Sequence, residues 1–282
     1  MATIDLPHGN LHYHQVGSGP PIVFLHGYLM GANLWDPVVR LMAGEFCCII
    51  PELPFGVHKT PMRPDADLTT AGVGRLVADF LQALDVRQVI LVGNDSGGAI
   101  AQVVAARHTQ RLGGLVLATC DAFDNHPPRL FRPLIIAARA GALTPLLTAL
   151  KFRPVRSLPS AYGWLSHHRP PHELIDGWVA NYLADKGVRR DTRRLIEALG
   201  DDAFMGQIAV ELAGFPKPVL LAWAADDKFF PLEHAKRLAG ILPDARLELI
   251  PGSRTWVMRD QPQRTAQLIG RFARHTAATL TT

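Results

Sequence analysis

The stretch Leu91-Val92-Gly93-Asn94-Asp95-Ser96-Gly97-Gly98 holds the side chains best placed to do chemistry. It reads as the end of a strand, a tight turn and the start of a helix, with a carboxylate at the turn. Val89-Ile90-Leu91-Val92 suits a buried strand, and Gly97 through Ala106 suits a buried helix. A reactive residue at so sharp a turn sits on strained backbone, with φ > 0 expected. Strand and helix crowd together there, so the residues two before and two after the tip must be small. With Asp95 at the tip those flanks are Gly93 and Gly97. With Ser96 at the tip they are Asn94 and Gly98, and Asn94 is too large. The register selects Asp95 over Ser96. That choice moves the chemistry from ester hydrolysis to attack on carbon, because a carboxylate can open an electrophilic carbon and form an ester intermediate.

The elements that must position this turn alternate along the chain. His12 to Gln15 and Ile22 to Leu25 read as strands, and the second ends at His26-Gly27. A helical stretch near Asn33 to Ala43, a strand at Cys47 to Ile50 and a Pro/Gly-rich loop from Pro51 to Pro64 follow. The spacing of Leu and Val predicts a helix over Asp65 to Leu84. Beyond the Asp95 turn and its helix comes the strand Leu115 to Ala118. From about Asp121 to Ala213 the chain is helical in pattern, interrupted by Pro, and rich in Arg and His. Strand character resumes at Pro218 to Trp223. A helix from Leu232 to Gly240, a strand from Arg246 to Ile250 and a helix from Gln263 to His275 close the chain. Strands alternating with helices mean an α/β protein, a doubly wound and mostly parallel sheet. The expected organisation is a core of residues 1–121 and 214–282 with a helical cap, or lid, at 122–213. Ligands of such sheets bind at the carboxyl ends of the strands, where this insert emerges.

Composition narrows the function classes. With 282 residues, 48% hydrophobic and 19% charged, the chain has the make-up of a soluble globular protein with a large core. A net charge of +4 without a Lys/Arg-rich block or aromatic-basic interleaving argues against nucleic acid as a partner. The apolar stretches are too short or too broken to span a bilayer, and the first residues lack the pattern of a signal peptide. Cys47, Cys48 and Cys120 have no metal-ligand spacing and read as reduced thiols, which points to the cytoplasm. The expected partner is a small-molecule substrate. No metal and no cofactor is called for, no membrane is expected, and a homodimer is left open.

The strand leading to His26-Gly27, the Gly93-Asn94-Asp95-Ser96-Gly97 turn, Asp227 and the order of strands resemble the α/β-hydrolase superfamily. The aspartate at the turn is similar to that of the epoxide hydrolase and haloalkane dehalogenase branch. The resemblance covers nearly the whole chain and is weakest in the insert, which corresponds to the family's cap. It implies that Asp95 is the nucleophile and that the backbone N–H groups of Tyr28 and Ser96 form the oxyanion hole. His26 then orders the loop that carries Tyr28. Asp227 stands where the family places the acid that orients a catalytic histidine, and Asp121 is a second candidate for that acid. Tyr162 and Tyr182 of the insert match the cap tyrosines with which epoxide hydrolases protonate the opening oxygen. Ser96 stands where haloalkane dehalogenases carry a halide-binding Trp, and Tyr28-Leu29 replace the Pro that epoxide hydrolases often carry after His-Gly.

The chain departs from the family at the base. The loop after the last strand reads Ile250-Pro251-Gly252-Ser253-Arg254-Thr255-Trp256, and Thr255 occupies the histidine's place. The only later histidine is His275, in the terminal helix. An imidazole can take a proton near neutral pH, whereas a threonine hydroxyl cannot usefully do so. Three readings follow. His126, His167, His168 or His172 supplies the base, and the chain acts nearest to an epoxide hydrolase on a small, largely apolar electrophile. Alternatively, Asp95 transfers protons in a lyase, isomerase or cyclase that needs no water. Finally, the chain binds a ligand without catalysis.

Overall fold

The computed structural model describes residues 1–199 and 203–280. The chain opens with β1 (Ala2–Leu6), β2 (Gly9–Val16) and β3 (Pro21–Leu25), then α1 (Asp36–Met42), β4 (Cys47–Pro51) and α2 (Thr70–Ala83). Next come β5 (Val89–Asp95), α3 (Ser96–Arg107) and β6 (Leu112–Cys120). Among the described residues, six α-helices then precede the next strand: α4 (Arg132–Arg139), α5 (Leu143–Thr148), α6 (Arg153–Arg156), α7 (His172–Ala184), α8 (Lys186–Glu197) and α9 (Phe204–Leu212). The chain ends with β7 (Val219–Ala224), α10 (Leu232–Ile241), β8 (Ala245–Ile250), α11 (Val257–Asp260) and α12 (Pro262–Leu280). The eight strands make one sheet in the order β1-β2-β4-β3-β5-β6-β7-β8. β1 and β2 are antiparallel to their neighbours, and every pairing from β4 to β8 is parallel.

The central strands explain why their sequences are continuously apolar. Every residue of β5 and β6 is buried, because helices cover both faces. α3 packs on β5 and β6 beside α2, and α12 packs on β6 and β7 beside α1. β1 escapes a reading by hydrophobic run: Ala2-Thr3-Ile4-Asp5-Leu6 is an edge strand with only Leu6 buried. The helix expected from Asp65 begins at Thr70, because the Thr69 hydroxyl caps it by accepting from Gly72 N at 3.1 Å.

Among the described residues, the segment between β6 and β7 contains no strand. α8 packs against both α4 and α7. Asp191 of α8 anchors this group to the loop after β4, accepting from Met62 N at 2.7 Å and lying 3.3 Å from His58 Nε2. α9 behaves differently. Its Met205 and Ile208 pack on Ala99 and Val103 of α3, and Arg107 reaches Glu211 at 2.6 and 2.8 Å. Residues 204–212 therefore pack on the core helix α3.

Candidate active site

The turn between β5 and α3 carries backbone strain at Asp95, with φ 55° and ψ −131°. Its crowding is severe on both sides. A Cβ on Gly93 would meet Gly97 O at 2.4 Å, and one on Gly97 would meet Leu25 O at 2.6 Å. A Cβ on Gly27 would meet Asp95 Oδ1 at 2.5 Å, so His26-Gly27 brings the β3 loop against the carboxylate. Asn94 turns away from the ligand side. Its Nδ2 donates to the carbonyls of Ala118, Thr119 and Thr255 at 2.5, 3.1 and 2.7 Å, tying β5 to β6 and to the loop after β8.

Asp95 is 7% exposed at the floor of a cavity of about 370 Å³. Its Oδ1 accepts from Ser96 N at 2.6 Å and from Ser96 Oγ at 3.0 Å. Among the described residues no hydrogen bond falls on Oδ2. Burial, then the neighbouring Asp121 charge, push the Asp95 carboxyl up to about 7, against the pull of the Ser96 bonds. The walls are apolar and come largely from the helical segment, with Phe131, Leu134, Leu147, Leu150, Leu158 and Leu165 among them. Tyr28, Ser96 and Tyr162 also line this space.

The other expected site residues fall into distinct places. His26 is fully engaged with backbone: Nδ1 donates to Gly27 O at 3.0 Å, and Nε2 accepts from Leu53 N at 3.1 Å. Burial drops this imidazole to about 4, so it stays neutral and holds its loop. Tyr162 reaches the cavity, but its hydroxyl donates to Leu29 O at 2.8 Å and so fastens the helical segment to the β3 loop. Tyr182 does not line the cavity. It shares a hydrogen bond of 3.0 Å with Thr144 and faces a separate crevice behind Leu29. His167 pairs with Asp226 at 3.0 Å on the surface, His168 is exposed, and His172 lines a different pocket with Arg156 and Arg254. His275 is exposed on α12.

Thr255 and Asp227 do meet. Thr255 is fully buried, and its Oγ1 donates to Asp227 Oδ2 at 2.7 Å. Asp227 Oδ1 accepts from the backbone N–H groups of Phe229 and Phe230, both at 2.7 Å. Burial raises the Asp227 carboxyl, and the Thr255 bond is the largest pull the other way. On the opposite side, Asp121 follows β6 with 0% exposure, and its Oδ2 lies 3.1 Å from His126 Nδ1. His126 Nε2 is 3.0 Å from Thr70 Oγ1. Sequence reasoning did not single out Thr70, a threonine in the first turn of α2 whose partner lies 56 residues away.

With the fold and this floor described, similarity to known proteins can be placed on them. Residues 20–262 match the α/β-hydrolase fold family. The chain belongs to that family. It is 26% identical over 281 residues to haloalkane dehalogenase 2 of Mycobacterium tuberculosis, covering 95% of this chain and 93% of that one. It is 25% identical over 257 residues to the 2-hydroxy-6-oxo-6-phenylhexa-2,4-dienoate hydrolase of Burkholderia cepacia, covering 87% and 85%. Among solved structures, an α/β-hydrolase fold protein from Burkholderia ambifaria superposes with a TM-score of 0.78 at 19% identity, over 94% of this chain and 95% of that one. As in other α/β-hydrolase folds, Asp95, Asp121, Asp227 and Thr255 all lie at or just beyond the carboxyl ends of parallel strands. No helix among the described residues is long and apolar enough to cross a membrane.

Proposed function

We propose that this α/β-hydrolase uses Asp95 for acid–base chemistry on a small, largely apolar molecule. The observation that carries the reading is the 2.7 Å hydrogen bond from Thr255 Oγ1 to Asp227 Oδ2. Hydrolysis through an Asp95 ester needs a group that activates water where Thr255 stands. A threonine hydroxyl is not such a base, and here its proton is committed to Asp227. Asp95, by contrast, is suited to take and return a proton. Its carboxyl is raised to about 7, near the value at which a general base works best at neutral pH. The reaction class is proton abstraction from carbon beside a carbonyl, leading to isomerisation, elimination or ring closure. The apolar walls select the rest of the substrate.

A second reading has its own support. Both Ser96 hydrogen bonds fall on Asp95 Oδ1, which leaves Oδ2 for in-line attack on carbon. The similarity to a haloalkane dehalogenase favours the same covalent step, nearest to an epoxide hydrolase in this chain because Ser96 follows Asp95. The two readings separate in heavy water. With a panel of small apolar ketones in D2O, the acid–base reading expects faster deuterium uptake beside the carbonyl, and Asp95→Asn abolishes it. Uptake no faster than in buffer across the panel would overturn that reading and leave the covalent one, or simple binding.

A further inference from the structure

A second recess meets the Asp95 cavity at Tyr162 and shares no other lining residue with it. It encloses about 300 Å³ between residues 156–175 of the helical segment and Arg254 of the loop after β8. The Asp95 cavity has mostly apolar walls. Here the walls carry Arg156, Arg169, Arg254, His167, His168 and His172 and, among the described residues, no Asp or Glu. The carboxylates around the recess are spent elsewhere. Asp226 pairs with His167 at 3.0 Å, and Asp176 pairs with Arg156. Asp260 accepts from Ser166 Oγ and from the backbone N–H groups of His167, His168 and Arg254. Arg169 and Arg254 are left without an ion pair among the described residues. The Arg254 charge does pull on the Asp227 carboxyl, but less than that carboxyl's three hydrogen bonds do. Arg254 Nε and His172 Nδ1 are buried with no hydrogen-bond partner among the described residues, and the Arg254 bond from Nη1 to Ser166 O is long at 3.5 Å. Buried polar atoms of a native fold are nearly always paired, so orphans beside a cationic recess mark where a partner arrives.

We propose that this recess binds the phosphate group of a small soluble molecule, at a site separate from the Asp95 cavity. A phosphate brings up to two negative charges and three strong acceptor oxygens. Two guanidinium forks without counter-ions match those oxygens in pairs, and each imidazole keeps an N–H to donate in either protonation state. The start of α7 adds to the attraction. His172 is its first residue and lines the recess, no side chain caps that turn, and a helix start carries partial positive charge. Glu173, the acid of the same turn, is exposed and does not line the recess. Trp164, 42% exposed, supplies an aromatic face for an organic group carried on the phosphate. Arg169 belongs to the helical segment and Arg254 to the loop that carries Thr255, so an occupied site ties the two together.

The test is isothermal titration of the whole chain with inorganic phosphate and, separately, with phenyl phosphate, in chloride buffer at constant ionic strength. One saturable site per chain is expected, and saturating ligand should raise the thermal unfolding midpoint of the parent. Arg169→Gln and Arg254→Gln should each weaken binding about tenfold, the size expected for one charge-assisted hydrogen bond, and the double variant should show no saturable heat. Arg156 is left in place, because it holds the carbonyls of Leu150 and His172. Tighter binding of phenyl phosphate supports a phosphate ester seated against Trp164, and equal affinities support free phosphate; both outcomes keep the site. Arg169 is exposed, so Arg169→Gln decides the matter even if Arg254→Gln lowers stability without ligand. No saturable heat with either compound overturns the proposal, as does parental affinity in Arg169→Gln. Phenyl phosphate binding that survives in the double variant also overturns it, since the ligand would then occupy another site.

Discussion

Asp227, partly buried, and Asp121, fully buried, are carboxylates at the same edge of the sheet, one after β7 and one after β6, and they differ in what holds them. Asp227 accepts three hydrogen bonds, from Phe229 N, Phe230 N and Thr255 Oγ1. Asp121 accepts none among the described residues and lies beside an imidazole instead. The β7–β8 side of the floor is thus sealed, with every oxygen of its carboxylate spent on scaffold. On the β6 side the polarity is buried but uncommitted. Asp121 also acts more strongly on Asp95: its charge is the leading electrostatic push on that carboxyl, with Asp227 the smallest. Of these two sides, the β6 side is the one that acts more strongly on Asp95.

The largest effect should come from Asp95 itself. Asp95→Asn is expected to lower deuterium uptake roughly 10²- to 10⁴-fold, the usual contribution of a positioned general base. Retention of most of the rate would break the account. The comparison of the two carboxylates sharpens with stability measurements. Asp227→Ala should cost about 2–4 kcal/mol in denaturant unfolding, because it strands two backbone N–H groups and a buried hydroxyl. Asp121→Ala should cost less than that, since it gives up the 3.1 Å approach to His126 and no hydrogen bond to backbone. Equal costs would erase the distinction.

Asp95 also links stability to pH. Its folded value, about 7, lies above the ordinary 3.8, so the folded protein holds this proton more tightly than the unfolded chain. Its effect on stability is therefore absent below about pH 4, and stability falls as pH rises towards 7. Asp95→Asn removes that slope, so the variant should gain over the parent by roughly 4 kcal/mol at pH 8 and by little at pH 4. Parallel curves would mean the carboxyl is not perturbed. The rate profile is finer still. The base must be ionised, so uptake should rise through about pH 7. Asp121→Asn should move that midpoint down by up to about one unit, and Asp227→Asn by less. Smallest of all, Thr255→Val should cost about 1 kcal/mol through the lost bond to Asp227, with deuterium uptake within a few-fold of the parent.

The turn at Asp95 was legible because sterics leave few residue types free to vary. Gly93 and Gly97 admit no side chain, so their spacing marks the strained position between them. The interest in Thr255 comes from the family's Gly-x-x-His pattern, which starts here at Gly252, and not from sterics. What the side chains touch was not legible. Nothing local tells that the Thr255 hydroxyl meets Asp227, 28 residues away, or that His126 meets Thr70 across the floor. Tyr182 and Tyr162 look alike in an amphipathic segment, and only the turn of α7 gives one to Thr144 while the other reaches the β3 loop. β1 lacked a signal because an edge strand buries little, and the helical pattern of α9 cannot reveal that it packs on α3.

The central claim is that Asp95 moves protons and does not hold a carbon. Intact-protein mass spectrometry after incubation with a reactive epoxide and an alkyl halide tests it most directly. Without a water-activating base, any Asp95 ester would persist and be seen as a stable mass increase. The account expects the unmodified mass in the parent, the same as in Asp95→Asn. A stoichiometric adduct that maps to Asp95 and disappears in Asp95→Asn would contradict it.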